Sequence, residues 1–387
     1  MGWNRQPSET TDIPSPLSPS RWITSLVLAG LAGGCLFLLH ASQRLSILEN
    51  VNIWLFSCVP LLMLALAFAV RAYRYGGALG HQQFLASEAQ AAQSSWLAWT
   101  GRHLSVYDSC LLLPEQMSAA ALARGVKDLP LHTGVAKRLE MLPSDPFDRL
   151  HQSLLLVLEA LQPSLEGSGL GDQFKVTILS DLGPQADADV ADAWSRVWEN
   201  VLGDQAKPTL VQVEALSLDW IEKKINEDNH YLELIVVLQL GGAERYSDAL
   251  AALLVCLDCS PVPGERPVKA RLLRPMPLDV GDLAGEVSGF MQSQVAARSA
   301  TGVLADVAEW HGASGAILAR NRELKGALQV GQQWNQESLC GVPGPFSSWL
   351  GMVLGAELAQ HRQEPLLVLG KEENAHWITT ITREEAA

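Results

Sequence analysis

Two cysteines three positions apart, Cys256 and Cys259, form the single Cys-x-x-Cys pair of the chain. Such a pair is redox-active where it begins a helix, because the helix dipole lowers the pKa of the first thiol. Here the pair ends the apolar run 249–258, which predicts a strand, so two core thiols in a reducing cytosol are the favoured interpretation. A zinc site needs further ligands at matching spacing, and the sequence offers no second pair.

The sequence patterns of hydrolases and nucleotide-binding proteins are incomplete. The run Gly312-Ala313-Ser314-Gly315 is one residue short of the Gly-x-Ser-x-Gly turn that exposes a nucleophilic serine. The run 167–171 (GSGLG) lacks the last glycine of a dinucleotide-binding loop and predicts a surface turn. The nine histidines are scattered, without metal-ligand spacing. We therefore expect no catalytic residue, no cofactor and no metal.

The twelve tryptophans are numerous for this chain length, and most of them lie in amphipathic patterns that predict core positions. Trp334 differs, because it lies in the polar run 331–336 (GQQWNQ). Tryptophan is enriched at the hot spots of protein interfaces. Trp334 is therefore the one candidate partner contact.

Two runs of eighteen residues without a charge, 22–39 and 53–70, stand near the start of the chain. As helices they would each span about 27 Å, which is close to the thickness of a bilayer core. We predict that they form a transmembrane hairpin. Gly30 and Gly34 form a Gly-x-x-x-Gly pattern that lets helices approach closely, and packing within the hairpin is favoured over dimerisation.

Charge separates the hairpin from the rest of the chain. Residues 1–75 carry five basic and three acidic residues, a net charge of +2, whereas residues 76–387 carry 23 basic and 39 acidic residues, a net charge of −16. Four of the five basic residues lie at the outer ends of the two spans and only Arg44 lies between them, so the positive-inside rule predicts an inner-membrane protein with both termini and the soluble region in the cytoplasm. The acidic body argues against a nucleic-acid partner.

Segments rich in proline and glycine, which favour turns and loops, indicate the domain organisation. The predicted parts are a disordered tail (1–20), the hairpin (21–75), a connector (76–95), a first α/β lobe (96–260), a linker (261–277) and a second α/β lobe (278–387). Residues 268–273 of the linker also fit a strand. Alternating strand and helix patterns predict a layered α/β fold and are compatible with two related lobes. Helices are predicted at 145–165, 186–202, 302–310 and 344–360, and strands at 174–180, 231–240, 249–258 and 365–370.

Two segments carry a resemblance to a known family. They are WLAWTGRHLSVYDSCLLLPEQ (96–116) and YLELIVVLQLGGAERYSDALAALL (231–254). With the double span before them, they resemble the adaptor proteins of type VI secretion lipase effectors. The resemblance implies a non-enzymatic adaptor that binds a phospholipase toxin and hands it to the secretion spike. No functional residue is carried over.

Other interpretations stay open. The α/β lobes are also similar to thiolase-like proteins, although the catalytic Cys-His-His or Cys-His-Asn pattern of that superfamily cannot be matched here. A membrane-tethered hydrolase or acyltransferase is one alternative function. A structural subunit of an envelope complex is another.

Overall fold

A computed structural model describes residues 3, 11–42, 52–125, 132–166, 174–203, 205–227, 231–258, 267–373 and 375–383. The contacts divide the chain into two compact units. One unit is Gln6–Ser95, and the other is Trp96–Ala387 together with Met1–Arg5.

The first unit contains two helices, α1 (Pro19–Ala41) and most of α2 (Ile53–Gly101). Both are long and apolar enough to cross a membrane, and almost none of their apolar window is buried. The predicted connector 76–95 is not a separate segment, because α2 continues through it to Gly101. Its many Ala, Gln and Leu residues are good helix formers, which explains the continuity.

Aromatic contacts show that α1 and α2 run antiparallel. The rings of Trp22 and Phe68 lie 4.9 Å apart, and those of Phe37 and Trp54 lie 5.6 Å apart. Trp22, near the start of α1, contacts a residue late in α2, whereas Phe37, near the end of α1, contacts a residue at the start of α2. Helices long enough to span a membrane therefore form a hairpin, as the two apolar runs predict.

The glycine that brings the two helices together is Gly33. A Cβ atom at this position would lie 2.6 Å from the backbone oxygen of Ser57, whereas one at Gly30 or Gly34 would meet nothing within 4 Å. The predicted packing role of Gly30 and Gly34 is thus not what the structure shows. Gly33 lies between Gly30 and Gly34 in the sequence. Because a helix turns by 100° per residue, Gly33 faces a different direction from these two glycines, and its face of α1 is the one that approaches α2.

The described part of the second unit contains an eleven-stranded sheet. Its strands are β1 (His103–Leu112), β2 (Phe174–Ser180), β3 (Thr209–Val213), β4 (Leu232–Gln239), β5 (Ala249–Leu257), β6 (Ala270–Leu273), β7 (Met276–Leu278), β8 (Gly302–Ala305), β9 (Gln333–Asn335), β10 (Leu366–Lys371) and β11 (His376–Thr382).

Helices connect these strands and cover their faces. They are α3 (Ala119–Ala123), α4 (Pro146–Leu165), α5 (Asp187–Leu202), α6 (Asp219–Asn226), α7 (Leu283–Ser293), α8 (Ala296–Ser299), α9 (His311–Glu323), α10 (Gln336–Cys340) and α11 (Ser347–Arg362).

The sheet is a tandem of two halves with the same topology. The strand order is β3-β2-β4-β5-β1-β6-β11-β10-β8-β9. In the first half β2 is parallel to β3 and β4, and β5 is antiparallel to β4 and β1. In the second half β8 is parallel to β9 and β10, and β11 is antiparallel to β10 and β6. If the strands of each half are numbered from one to five along the chain, leaving out β7, both halves have the order 3-2-4-5-1. In both, the fifth strand is antiparallel to its neighbours. The α/β unit is therefore a structural duplication.

Alternating side chains divide the core into layers. Ile235 and Val237 of β4 join an inner cluster, whereas Leu234 and Val236 join an outer cluster against α4 and α5. In the second half Val368 faces the same inner cluster, and its neighbours in β10 face an outer cluster with α7 and α9. The inner helices α6 and α11 lie between the two sheet halves, so the unit has five layers, α/β/α/β/α.

Helix α11 shows why this inner layer is closely packed. Most of its residues are buried, and burial extends around the whole helix. A Cβ atom at Gly355 would lie 2.8 Å from side-chain carbons of both Ile381 and Val368. Glycine at this position therefore lets the helix approach both strands.

One predicted element has a different structure, and two predicted boundaries agree in part. The predicted helix 302–310 begins with the buried strand β8, because four apolar residues in a row fit either element. The predicted linker 261–277 contains β6, in agreement with the strand allowed at 268–273, and also the start of β7. The predicted start of the first lobe at residue 96 is also the start of the α/β unit, although α2 continues for five residues beyond it.

Trp3 of the N-terminal tail also belongs to the α/β unit. Its ring lies 5.4 Å from that of Trp99 and 5.6 Å from that of Phe290. The chain thus leaves this unit after residue 5 and returns to it at residue 96.

Candidate functional site

The carboxyl ends of parallel strands are the usual place for ligands in an α/β sheet. At this edge of the second half, Asp306 follows β8, and Glu372 follows β10. Ser217 lies two residues before α6, in the segment that follows β3 of the first half. The inner layer therefore brings residues from both halves together at one edge.

Ser217 and Glu372 form a hydrogen-bonded pair at this edge. The exposed Ser217 hydroxyl donates to Glu372 Oε2 at 2.6 Å. The same carboxylate accepts from the Leu218 N–H at 2.6 Å and from the Trp377 indole N–H at 3.0 Å. A carboxylate within hydrogen-bond reach of an exposed hydroxyl can remove its proton during nucleophilic attack. The negative charge also suits the start of α6, where the helix dipole is positive.

Asp306 holds the strand that carries Glu372. Its side chain is completely buried. Its Oδ2 accepts the Lys371 N–H at 2.7 Å, and its Oδ1 accepts the Trp310 indole N–H at 3.1 Å. Burial outweighs these hydrogen bonds and raises the pKa of Asp306 to about 6. Ser348 at the start of α11 donates to the Lys371 carbonyl at 3.1 Å, so both backbone polar groups of Lys371 are hydrogen-bonded.

In the first half of the sheet, Asp181 has the same structural role as Asp306 in the second half. This residue follows β2, the counterpart of β8, and accepts the N–H groups of Leu240 and Gly241, which follow β4. Each half therefore uses a carboxylate after its second strand to hold the end of its fourth strand. We interpret Asp306 as a positioning residue for Glu372 on this basis.

The outer side of β10 borders a small cavity. Its volume is about 290 Å³, and its lining includes Glu309, Trp310, Lys371 and His376. The Lys371 ammonium lies 2.6 Å from Glu309, and this contact lowers the pKa of the carboxyl. Burial lowers the pKa of His376, so the imidazole is mostly neutral at pH 7. This cavity can hold a small polar molecule.

The described cysteines of the α/β unit are poor nucleophiles. Cys110, Cys256 and Cys340 are buried. Burial raises the pKa of Cys110 and of Cys340 to about 12, so neither forms a thiolate near neutral pH. Cys259 lies outside the described residues. No group of three metal-binding side chains occurs in the part of the chain that the structure describes.

The residues singled out from the sequence lie away from the Ser217–Glu372 pair. Trp334 is in β9 rather than in a loop; its ring packs against the inner core, with the Arg362 guanidinium 5.3 Å from the ring centre. Its role as a partner contact stays a prediction. Ser314 lies within α9, and its hydroxyl donates to the His311 carbonyl of the same helix.

Sequence reasoning missed Ser217, Asp306 and Glu372. A usable signal exists, because Asp306 directly follows a buried apolar run and Glu372 follows one after Lys371. For Asp306 the signal is hidden, since residues 302–310 are predicted to form a helix.

No family model matches the chain, and no curated protein does either. Solved structures do resemble it. A chain of the AntDE:AntF assembly, a type II PKS acyl-carrier protein in complex with its ketosynthase bound to the hexaketide, superposes with a TM-score of 0.50 at 8% identity. The match covers 73% of this chain and 99% of that one.

Two further structures match less well. The ishigamide ketosynthase/chain length factor gives a TM-score of 0.45 at 13% identity, with 73% of this chain and 100% of that chain covered. The 3-oxoacyl-(acyl carrier protein) synthase III, FabH, from Pseudomonas aeruginosa PAO1 gives 0.42 at 12% identity, with 74% and 99% covered.

The likeness to the AntDE:AntF chain confirms a thiolase-like α/β fold. It also corrects the main functional prediction. The expectation of a non-enzymatic adaptor is contradicted, because the chain shares its fold with a chain from a ketosynthase complex. The predicted partners of that adaptor, a lipase effector and a spike protein, are not tested by any of these observations.

Proposed function

We propose that the protein is a membrane-tethered acyltransferase in which Ser217 accepts an acyl group and Glu372 acts as the general base. The observation that carries the proposal is the 2.6 Å hydrogen bond from an exposed hydroxyl to a carboxylate at the edge where both sheet halves meet. The fold supports the proposal, since the resembling chain comes from a ketosynthase complex with an acyl-carrier protein.

An acyl thioester is the substrate class that fits this pair. The Ser217 oxygen attacks the thioester carbonyl, and Glu372 takes the hydroxyl proton. The carbon–sulfur bond then breaks, and the proton passes to the departing thiolate. The products are an acyl ester on Ser217 and a free thiol. No oxidant or reductant is required, and the step follows the usual logic of a base-activated nucleophile.

A hydroxyl rather than a thiol is the nucleophile in this proposal. The described cysteines of the α/β unit are buried, and two of them have pKa values of about 12. Ser217 is exposed and hydrogen-bonded to its base. A serine needs such a partner, because a hydroxyl is a weak nucleophile at neutral pH.

We further propose that the hairpin anchors the enzyme to the inner membrane with the α/β unit in the cytoplasm. Since Trp3 packs within the α/β unit, the chain between residues 5 and 96 starts and ends on one side. It must therefore cross the membrane an even number of times, which suits two helices of sufficient length. Arg5, Arg21, Arg71 and Arg74 flank this pair of helices and favour the cytoplasmic side.

The test uses the full chain in detergent with butyryl-N-acetylcysteamine as the thioester probe. Intact mass spectrometry should show one butyryl adduct on the wild type and none on Ser217→Ala. Ser314→Ala is the control, because Ser314 is partly exposed but has no carboxylate partner among the described residues. Glu372→Gln should form the adduct at least about a hundred times more slowly, as expected for loss of a general base.

Two results would contradict the proposal. One is an adduct that forms equally on wild type and Ser217→Ala. The other is a wild-type protein that forms no adduct and releases no thiol from any thioester of two to twelve acyl carbons. A pocket of ordinary size accepts acyl chains of roughly these lengths.

A further inference from the structure

A second and larger cavity lies at the opposite end of β10 from Glu372. It has a volume of about 940 Å³. Its walls come from the last turn of α2, the start of β10, the end of β11 and the segment around α8. A cavity of this size accommodates a molecule as large as a nucleotide. It shares no lining residue with the cavity beside Lys371.

The lining carries a strong positive charge. Arg271, Arg298, Lys325 and Arg383 all border the cavity, and none of its described lining residues is acidic. This concentration is unexpected in a region of the chain where acidic residues outnumber basic ones by 39 to 23. Clustered charges of one sign in a concave site raise the local concentration of a ligand of opposite sign.

Three of these four cationic side chains have no acidic partner among the described residues. Arg298 donates to the backbone carbonyls of Met291 and Gln292, which are uncharged partners. Among the described residues, Arg298, Lys325 and Arg383 form no ion pair. The neighbouring carboxylates are occupied, since Asp258 pairs with Arg102 at 3.3 Å and Glu364 pairs with Arg362 at 2.9 Å.

One lining residue also has an unused acceptor. Gln294 is 1% exposed, and its amide nitrogen donates to the carbonyls of Thr100 and Arg274. Its Oε1 atom is buried and has no hydrogen-bond partner among the described residues. A buried acceptor without a donor costs about 1–3 kcal/mol, so such an atom in a cavity wall indicates a ligand donor group.

We propose that this cavity binds a phosphate ester that carries free hydroxyl groups. The phosphate would lie among the cationic side chains, and a hydroxyl would donate to Gln294. The inference does not depend on the acyltransferase proposal. A soluble nucleotide and a phospholipid headgroup share this chemistry, and the experiment distinguishes the two sources.

The experiment measures binding to the full chain, kept in detergent for titration and in amphipol, which does not dissolve vesicles, for cosedimentation. Isothermal titration uses ADP as the soluble probe, and cosedimentation uses vesicles of phosphatidylglycerol against vesicles of phosphatidylcholine. We expect one of the two phosphate probes to bind and to weaken as salt rises. The double variant Lys325→Gln/Arg383→Gln should weaken this binding at least about tenfold, because it removes two charge-assisted contacts.

Matched variants separate the site from general electrostatics. Arg322→Gln removes an exposed charge from α9 outside the cavity and should change binding less than about twofold. Gln294→Leu should weaken the binding of ADP or phosphatidylglycerol more than the binding of pyrophosphate, because pyrophosphate has no ribose or glycerol hydroxyl. Ser217→Ala should bind as the wild type does, so failure of the acyltransferase proposal would leave this result intact.

The outcomes are distinct. Saturable ADP binding supports a soluble ligand, and binding to phosphatidylglycerol vesicles alone supports a headgroup, provided that the double variant loses it. The proposal is overturned if neither probe binds at about 1 mM, a concentration at which even weak specific sites fill. It is equally overturned if Arg322→Gln and the double variant weaken binding to the same extent.

Discussion

Asp306 should make the stability of the α/β unit depend on pH in an unusual direction. Its side chain is completely buried, and burial raises its pKa from 3.8 to about 6. An acid whose pKa is higher in the folded protein stabilises the fold fully below its unfolded pKa. This contribution is lost as the pH rises through the folded pKa, because the buried group must then ionise.

The size of the effect follows from the two pKa values. A change from 3.8 to about 6 corresponds to about 3 kcal/mol at 1.36 kcal/mol for each pH unit. The α/β unit has close to 300 residues, and unfolding entropy is about 2.1 cal/mol/K for each residue, so 3 kcal/mol corresponds to about 5 °C in Tm. The change should occur between pH 4 and pH 7.

The substitution Asp306→Asn isolates this contribution. Thermal unfolding of the full chain in detergent is followed by circular dichroism from pH 4 to pH 8. The lost hydrogen bonds shift the Tm of the variant by an amount that does not vary with pH. The Tm difference, variant minus wild type, should therefore rise by about 5 °C across this range as ionisation penalises only the wild type.

An exposed carboxyl supplies the control. Lys371 lowers the pKa of Glu309, so this ion pair stabilises the fold above the unfolded pKa and is lost as the pH falls. The Tm difference for Glu309→Gln should thus fall as the pH rises, opposite in sign to that for Asp306→Asn. A difference for Asp306→Asn that stays constant, or falls with pH, would refute the reasoning.

Four further outcomes are expected from denaturation of the full chain. Burial raises the pKa of Glu357 to about 7, so the Tm difference for Glu357→Gln should also rise with pH, but closer to neutrality; a rise complete by pH 5 would contradict this. Gly355→Ala should cost about 1–3 kcal/mol because its Cβ would lie 2.8 Å from two side chains, whereas Gly351→Ala, with a nearest contact of 3.4 Å, should cost nothing; urea midpoints compare them, and equal losses would contradict the packing argument. Asp145→Ala removes the side-chain cap of α4 and should cost about 1 kcal/mol, a loss that Asp145→Asn should largely restore. Arg274→Met should cost about 3 kcal/mol, since the buried guanidinium bonds Glu222, Asn226 and a backbone carbonyl; a stability equal to the wild type would show that these contacts contribute little.

Local patterns predicted many elements of the α/β unit correctly. The predicted helix 145–165 is α4, with Asp145 as its cap, and the predicted strand 174–180 is β2. The apolar runs 231–240 and 249–258 contain β4 and β5. These segments have strong periodicity or long buried runs, which are properties of neighbouring residues and need no knowledge of the rest of the fold.

Short elements escaped this reasoning because their identity depends on pairing. The strand β8 has four residues, and β7 has three and includes Pro277. Each becomes a strand through hydrogen bonds to partners far along the chain, which are β10 for β8 and β11 for β7. Two related lobes were one expectation, but only the structure establishes the duplication, since it consists in strand order rather than in matching residues.

The candidate site depends even more on tertiary structure. Ser217 and Glu372 are 155 residues apart, and neither stands in a recognisable sequence pattern. Their contact exists because the inner helices are held between two sheet halves. In the separate helical hairpin, tertiary structure likewise shows that Gly33 packs against α2, which the glycine spacing alone does not predict.

The sequence by itself determined the two apolar helices, the acidic character of the remainder and the periodic elements of an α/β fold, because composition and local spacing fix these properties. Only the tertiary structure decided the paired halves, the buried carboxyl of Asp306, the Ser217–Glu372 contact and the cationic cavity. Each of these is a relation between distant residues, and its chemistry arises from burial and proximity that no single segment contains.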